Sequence, residues 1–165
     1  MDSLYRMKHR SVDAVIEYPI FLLAALTIAA TLIVTGFLAI NQLEDEFKKH
    51  QINEVVSKIL LRAEELYVYA DEDSTICILS VELPDNLLMM VFGGIPFSSR
   101  NYSPVFDVNT SSSYYYVLDN GEIHQGYSTI RFSVVNPVIL HSGHHELVLK
   151  LINYGGRKYV EIREE

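Results

Sequence analysis

Residues 19–40 read PIFLLAALTIAATLIVTGFLAI, and the fold turns on how that run is understood. It holds no charged residue, and its only polar side chains are Thr27, Thr31 and Thr35. A hydrocarbon core about 30 Å thick takes roughly 20 residues of helix to cross, and Pro19–Ile40 meets that length. A buried core helix is one competing reading. It fails on size, because the rest of a 165-residue chain cannot easily surround a helix that is apolar on every face. A cleaved secretory signal is the other competitor. Such signals have a shorter apolar core with a small-residue cut site after it. This run instead continues into an acidic helical pattern, so a retained transmembrane helix is expected.

Charge on the two sides sets an orientation. Arg6, Lys8 and Arg10 precede the run, and Asn41-Gln42-Leu43-Glu44-Asp45-Glu46 follows it. The positive-inside rule puts the N-terminus in the cytoplasm and everything after about residue 41 outside the cell. The expected protein is therefore single-pass, with an extracellular C-terminal domain.

Beyond Ile40 the pattern becomes amphipathic. Leu43, Phe47, Ile52, Val55, Val56, Ile59, Leu60, Ala63 and Leu66 recur mostly at spacings of three and four, which gathers them on one helical face. Glu44–Lys48 and Asp45–Lys49 are acid-before-base i,i+4 pairs, each worth a few tenths of a kcal/mol if exposed. No Pro or Gly interrupts Leu38–Ala70. One helix is predicted from about Glu17 to Tyr67, roughly 75 Å at about 1.5 Å per residue. Its single apolar stripe needs a cover, and the sheet that follows supplies one.

The C-terminal half reads as strands. Ser74–Leu83, Leu87–Phe92, Tyr114–Leu118, Glu122–Gln125, Thr129–Val135, His145–Asn153 and Arg157–Arg163 are β-rich or alternating. Asp119-Asn120-Gly121 and Tyr154-Gly155-Gly156 mark two hairpins. Residues 93–113, rich in Ser, Pro and Asn, read as a loop. The fold class expected is α+β: a long N-terminal helix, then an antiparallel sheet or small β-sandwich.

Composition narrows the function. A net charge of −8 and a pI near 5.2, with no basic stripe, argue against nucleic-acid binding. The lone Cys77 lies in an apolar strand-like run and reads as a small buried hydrophobe. No phosphate-binding glycine loop, HExxH, paired CxxC or nucleophile elbow is present, so neither an enzyme nor a bound cofactor is expected. The nearest approach to a metal site is His141, His144 and His145, with Glu146 beside them; turn histidines are usually solvated, and this is a weak candidate. Asp71-Glu72-Asp73 lacks the calcium-loop spacing and reads as a solvated junction. Two N-glycosylation sequons, at Asn101 (Asn101-Tyr102-Ser103) and Asn109 (Asn109-Thr110-Ser111), fall in the polar loop on the expected outer side.

Taken in order, the chain has a basic leader, an acid at the threshold, an apolar helix half, an amphipathic half and a β-domain. This layout resembles the type IV pilin superfamily, particularly archaeal pilin-like proteins with class III signal peptides. As sequence, the resemblance is concentrated in Lys8–Ile40. It implies a leader over residues 1–11, a long helix over 12–69 with its membrane or filament-core segment at 19–40, and an extracellular β-domain over 70–165. It also implies cutting by a prepilin-type peptidase in the context Arg10-Ser11, leaving Val12 as the first mature residue. Ala14-Val15-Ile16-Glu17-Tyr18 resembles the family's segment with an acid just inside the mature N-terminus. Glu17 would there pair with a new α-amino group, often a neighbour's. The alternative is that Glu17 stays at headgroup level as a helix N-terminal charge. The chain departs from the family pattern at three places: Ser11 stands where Gly or Ala is usual, Glu17 would be the sixth mature residue rather than the fifth, and Pro19 follows closely.

The resemblance implies a structural subunit, major or minor, of a surface filament. Its partners would be the membrane, the peptidase and copies of itself or of related subunits. The alternative is a non-polymerising anchored β-domain that grips a cell-envelope partner, as a stator or a surface-layer-binding protein does.

Overall fold

The computed structural model describes residues 2–69, 75–98 and 100–165, with side chains from Pro19 onward. The acidic stretch Asp71-Glu72-Asp73 lies outside the described residues. The chain divides into two compact units, Met1–Glu46 and Phe47–Glu165. The fold is α+β: among the described residues, helix α1 (Asp2–Tyr69) is followed by nine strands.

Helix α1 begins well before the predicted Glu17. Residues 2–18 contain no Gly or Pro, so nothing in them stops a helix that the apolar run propagates. Pro19 sits inside the helix, where its ring removes one backbone hydrogen bond without ending the element. In the first unit, every residue from Pro19 to Glu46 is exposed. This is the one helix among the described residues that is long and apolar enough to cross a membrane, and none of its most apolar window is buried.

In the second unit, the same helix buries Ile52, Val55, Val56, Ile59, Ala63 and Leu66. The stripe is shorter than predicted, because Leu43 and Phe47 are about 70 % exposed (69 % and 71 %). Ala63 is fully buried within the same stripe.

The strands are β1 (Ile76–Leu83), β2 (Leu87–Phe92), β3 (Gly94–Ser98), β4 (Asn101–Phe106), β5 (Ser113–Leu118), β6 (Ile123–Tyr127), β7 (Ile139–Leu140), β8 (Gly143–Tyr154) and β9 (Arg157–Glu164). They form two main antiparallel sheets, ordered β1-β8-β9 and β6-β5-β2-β7, and a β3-β4 hairpin. Alternation decides what each strand buries. In β1, Leu79, Val81 and Leu83 face inward while Ile78, Ser80 and Glu82 are exposed. In β8, Leu147, Leu149 and Leu151 face inward. Both sheets and the helix stripe share one core, which is a sandwich arrangement with a helix built into it.

Two local readings of the sequence are corrected. Residues 93–113 are not a loop, because they hold β3, β4 and a 3₁₀ turn at Val108–Thr110. The prolines hid the hairpin, yet Pro96 lies opposite Pro104 in register. Two prolines are tolerated because this small sheet is all edge. Its inner side covers a second apolar cluster of Val91, Tyr115 and Val117. Conversely, Thr129–Val135 is not a strand. It makes a single parallel bridge, Phe132 to Val160. Its alternation reports burial of Ile130 and Phe132, but Ser133 on the supposed outer face is buried as well. Asn136-Pro137 then turns the chain away.

Both predicted hairpin turns are present. Gly121 has φ +82° between β5 and β6, and Gly155 and Gly156 have φ +61° and +76° between β8 and β9. Only glycine adopts such angles without steric cost.

Candidate functional site

The feature of this chain that most needs a partner is the apolar surface of α1 in the first unit. Ile20, Phe21, Leu23, Leu26, Ile33 and Phe37 are each 63–78 % exposed, a density of apolar side chains far beyond what water tolerates on a folded surface. The hydroxyls within it are already satisfied. Thr27 donates to the Leu23 and Ala24 carbonyls at 3.1 and 2.8 Å, Thr31 to the Thr27 carbonyl at 2.8 Å, and Thr35 to the Thr31 and Leu32 carbonyls at 2.9 and 3.1 Å. One turn separates each Thr from the next, so the three lie on one face and fold their polar atoms back onto the helix. A surface with no donor left over can meet hydrocarbon or another apolar helix without loss.

In the second unit, a polar seam fastens the helix to the sheets. Lys49 reaches Glu122 at 2.7 Å rather than serving only its own helix. Glu122 also meets His124 at 2.9 Å, and the His124 ring stacks on Tyr116 with centroids 4.8 Å apart. The Tyr116 hydroxyl donates to Asn53 Oδ1 at 3.1 Å. Lys49 and Asn53 are one helical turn apart on the flank of the buried stripe. On the other flank, Lys58 Nζ donates to the Ser80 carbonyl at 3.0 Å, capping a free edge group of β1. The Lys49 hydrogen bond holds the Glu122 carboxyl below the usual range, with the His124 and Lys49 charges adding to it against a smaller opposing effect of desolvation. Burial pushes the Tyr115 hydroxyl up to about 12, and that hydroxyl donates to the Tyr102 carbonyl at 2.7 Å, locking the β3-β4 hairpin onto the sheet. The sequence gives no sign of this seam, because each partner of the helix lies more than 20 residues away.

The three histidines do not converge. His141 Nδ1 sits 2.7 Å from the Leu88 carbonyl. His144 Nδ1 lies 3.1 Å from Glu82. His145 is not a solvated turn residue: it lies on β8, is buried, and has Nδ1 2.7 Å from Glu164 and Nε2 2.8 Å from the His141 carbonyl. Both of its nitrogens are engaged, so neither is free for a metal. Among the described residues, no group of three or more His, Cys, Asp or Glu is placed to hold a metal ion. Cys77 is half-buried against the core edge.

Asn101 and Asn109 are both exposed, on β4 and on the 3₁₀ turn rather than in an open loop. The Asn101 side chain accepts from the Ser103 amide at 3.0 Å. Asp107 caps the turn that presents Asn109, accepting from its amide at 2.8 Å. The helix continues through Arg10, Ser11, Val12 and Glu17, whose side chains lie outside the described ones.

No protein-family model, no curated protein and no solved structure matches this chain.

Proposed function

We propose that the chain is a structural subunit, major or minor, of an archaeal type IV pilin-like surface filament. In this reading it enters the membrane as a precursor with its N-terminus in the cytoplasm, carries its β-domain outside, and assembles through its apolar helix half. It is not an enzyme, and its partners are lipid, copies of itself or related subunits, and a prepilin-type peptidase. One observation carries the reading. The helix is apolar and exposed on all sides from Pro19 to Ile40, with its threonine hydroxyls self-satisfied, and then buries a single stripe among β-strands. Such a helix suits two environments in turn, lipid before assembly and other helices after it.

A second reading is a permanently anchored β-domain that grips an envelope partner without polymerising. The unbroken helix across Ser11 favours it, because a peptidase needs extended backbone at the bond it cuts. The N-terminal residue and intact mass of the protein from its native membrane separate the two. A start at Val12 supports the filament subunit. An intact Met1 supports the anchor and removes the filament reading.

A further inference from the structure

The two glycosylation sequons are alike as sequence, and the fold treats them differently. An N-x-Ser/Thr acceptor is defined at two points, the asparagine amide that takes the sugar and the hydroxyl two residues on. A transferase must therefore reach both side chains at once. In an extended strand residues i and i+2 project from one face, so the two groups stand together.

Asn101-Tyr102-Ser103 has that geometry. Asn101 opens β4 and Ser103 follows on the same face; both are exposed, while Tyr102 between them is half-buried. Ser98 and Asn101 are register partners, so the acceptor stands at the end of the β3-β4 hairpin. Asn101 Oδ1 accepts from the Ser103 amide at 3.0 Å, which turns the side chain along the strand toward Ser103. Among the described residues, neither Asn101 Nδ2, the atom that would carry the sugar, nor Ser103 Oγ has a hydrogen-bond partner.

Asn109-Thr110-Ser111 lacks that geometry. Its asparagine is exposed, but the stretch lies in and just after the 3₁₀ turn Val108–Thr110. Ser111 is 2 % exposed, its Oγ donates to the Val108 carbonyl at 2.7 Å, and its carbonyl accepts from the Phe132 amide at 2.7 Å. Thr110 Oγ1 accepts from the Asp107 amide at 3.0 Å and donates to the Gly93 carbonyl at 3.1 Å. To present Asn109 beside Ser111, the turn must unwind, the capping box must break and a buried serine must come out.

We infer that Asn101 is an N-glycosylation site of the folded chain and that Asn109 is not. The donor is a lipid-linked sugar diphosphate. Asn101 Nδ2 attacks the anomeric carbon, the new C–N bond forms as the C–O bond to phosphate breaks, the lipid diphosphate leaves with the electron pair, and the amide proton passes to a base of the transferase. A glycan there stands at the end of β4, which has only β3 as a strand neighbour, and keeps its other edge from pairing with a further chain. In the cell this rests on the proposed outer placement of the β-domain; the test in vitro does not.

The full chain in lipid nanodiscs is incubated with a purified oligosaccharyltransferase that accepts plain N-x-Ser/Thr, together with its lipid-linked oligosaccharide. Occupancy at each asparagine is read by peptide mass spectrometry over time. Synthetic peptides Phe97–Val105 and Val105–Ser113 run in parallel and report the two sequons without the fold. Both peptides should be modified. In the folded chain Asn101 should be modified and Asn109 should lag it by about tenfold or more, because opening of the turn must come first. No sugar at Asn101, equal rates at the two sites, or a ratio in the folded chain that only repeats the ratio in the peptides would each overturn the inference. The same two sites are then read in protein from its native membrane. Sugar on Asn101 alone supports both the site and the outer placement. A bare Asn101 there, with Asn101 modified in nanodiscs, counts against the outer placement and leaves the site supported.

Discussion

Glu122 joins three side chains from the helix, β6 and the turn before it: Lys49 of the helix at 2.7 Å, His124 of β6 at 2.9 Å and, through its own backbone amide, Asn120 of the turn at 2.8 Å. Its carboxyl titrates below the ordinary value of 4.5, chiefly because Lys49 hydrogen-bonds the charged form. A carboxyl whose folded value is depressed contributes stability that is complete above its unfolded value and is lost as pH falls through the folded one. Denaturant midpoints measured from pH 6 downward should therefore drop as the pH passes below about 4.5, the ordinary carboxyl value, and continue to drop through the lowered value of Glu122. In Glu122→Gln that part of the pH dependence should be absent. Parallel curves for variant and wild type would show that the pair, about 40 % exposed on each side, is screened to insignificance.

At the scale of elements, the helix stripe is the joint on which the second unit depends. Ile59 is fully buried in the core that the helix shares with the sheets, while Leu61, two residues on, is 57 % exposed. Ile59→Ala should lower unfolding free energy by about 2–4 kcal/mol through lost burial and the cavity left behind. Leu61→Ala should cost less than about 0.5 kcal/mol. Chemical denaturation followed by tyrosine fluorescence reads both, and a similar cost at the two positions would mean the stripe is misassigned. The period of three and four residues made this stripe legible in the sequence from Ile52 onward. The same period misleads at Leu43 and Phe47, because it cannot tell an apolar residue covered by sheet from one left exposed on the helix. Turns were legible through Asn120-Gly121 and Gly155-Gly156, where backbone angles demand glycine. The β3-β4 hairpin was not, since Pro96 and Pro104 mimic a loop, and edge strands are where such residues are allowed. Thr129–Val135 alternates as a strand should, but strand formation needs a free edge along its whole length, and β9 offers it contact at one residue. The seam of Lys49, Asn53, Tyr116 and Glu122 left no local mark, because it is made by residues brought together only by the sandwich.

For the molecule as a whole, the proposed filament reading raises the question of what would cover the apolar helix half once the chain left lipid. Lipid and a bundle of like helices are equally apolar, so burial alone cannot draw the helix from one to the other. On that proposal, assembly would require a term that exists only in the filament, and a carboxylate at the membrane threshold is suited to supply it. An acid on a helix at the bilayer centre costs about 2.5–3.5 kcal/mol on insertion scales. Glu17, two residues before the apolar run, can avoid that cost at the interface while the chain stands alone. Drawn into a helix bundle it would lose that refuge unless a cation met it, and the α-amino group of a processed neighbour is such a cation. Glu17→Ala removes this coupling and leaves the hydrophobic anchor unchanged. The variant should remain in the membrane fraction at wild-type abundance, while sheared surface filaments fall below a tenth of wild type by quantitative immunoblot. Filaments at normal yield would leave Glu17 at the headgroup level with no part in assembly; α1 begins at Asp2, so Glu17 lies too far inside the helix to act as the N-terminal charge considered from the sequence. Under the proposed filament reading, register would then have to come from the packing of Ala24, Ala25, Ala29, Ala30 and Gly36 against their copies, which is geometry without a charge to direct it.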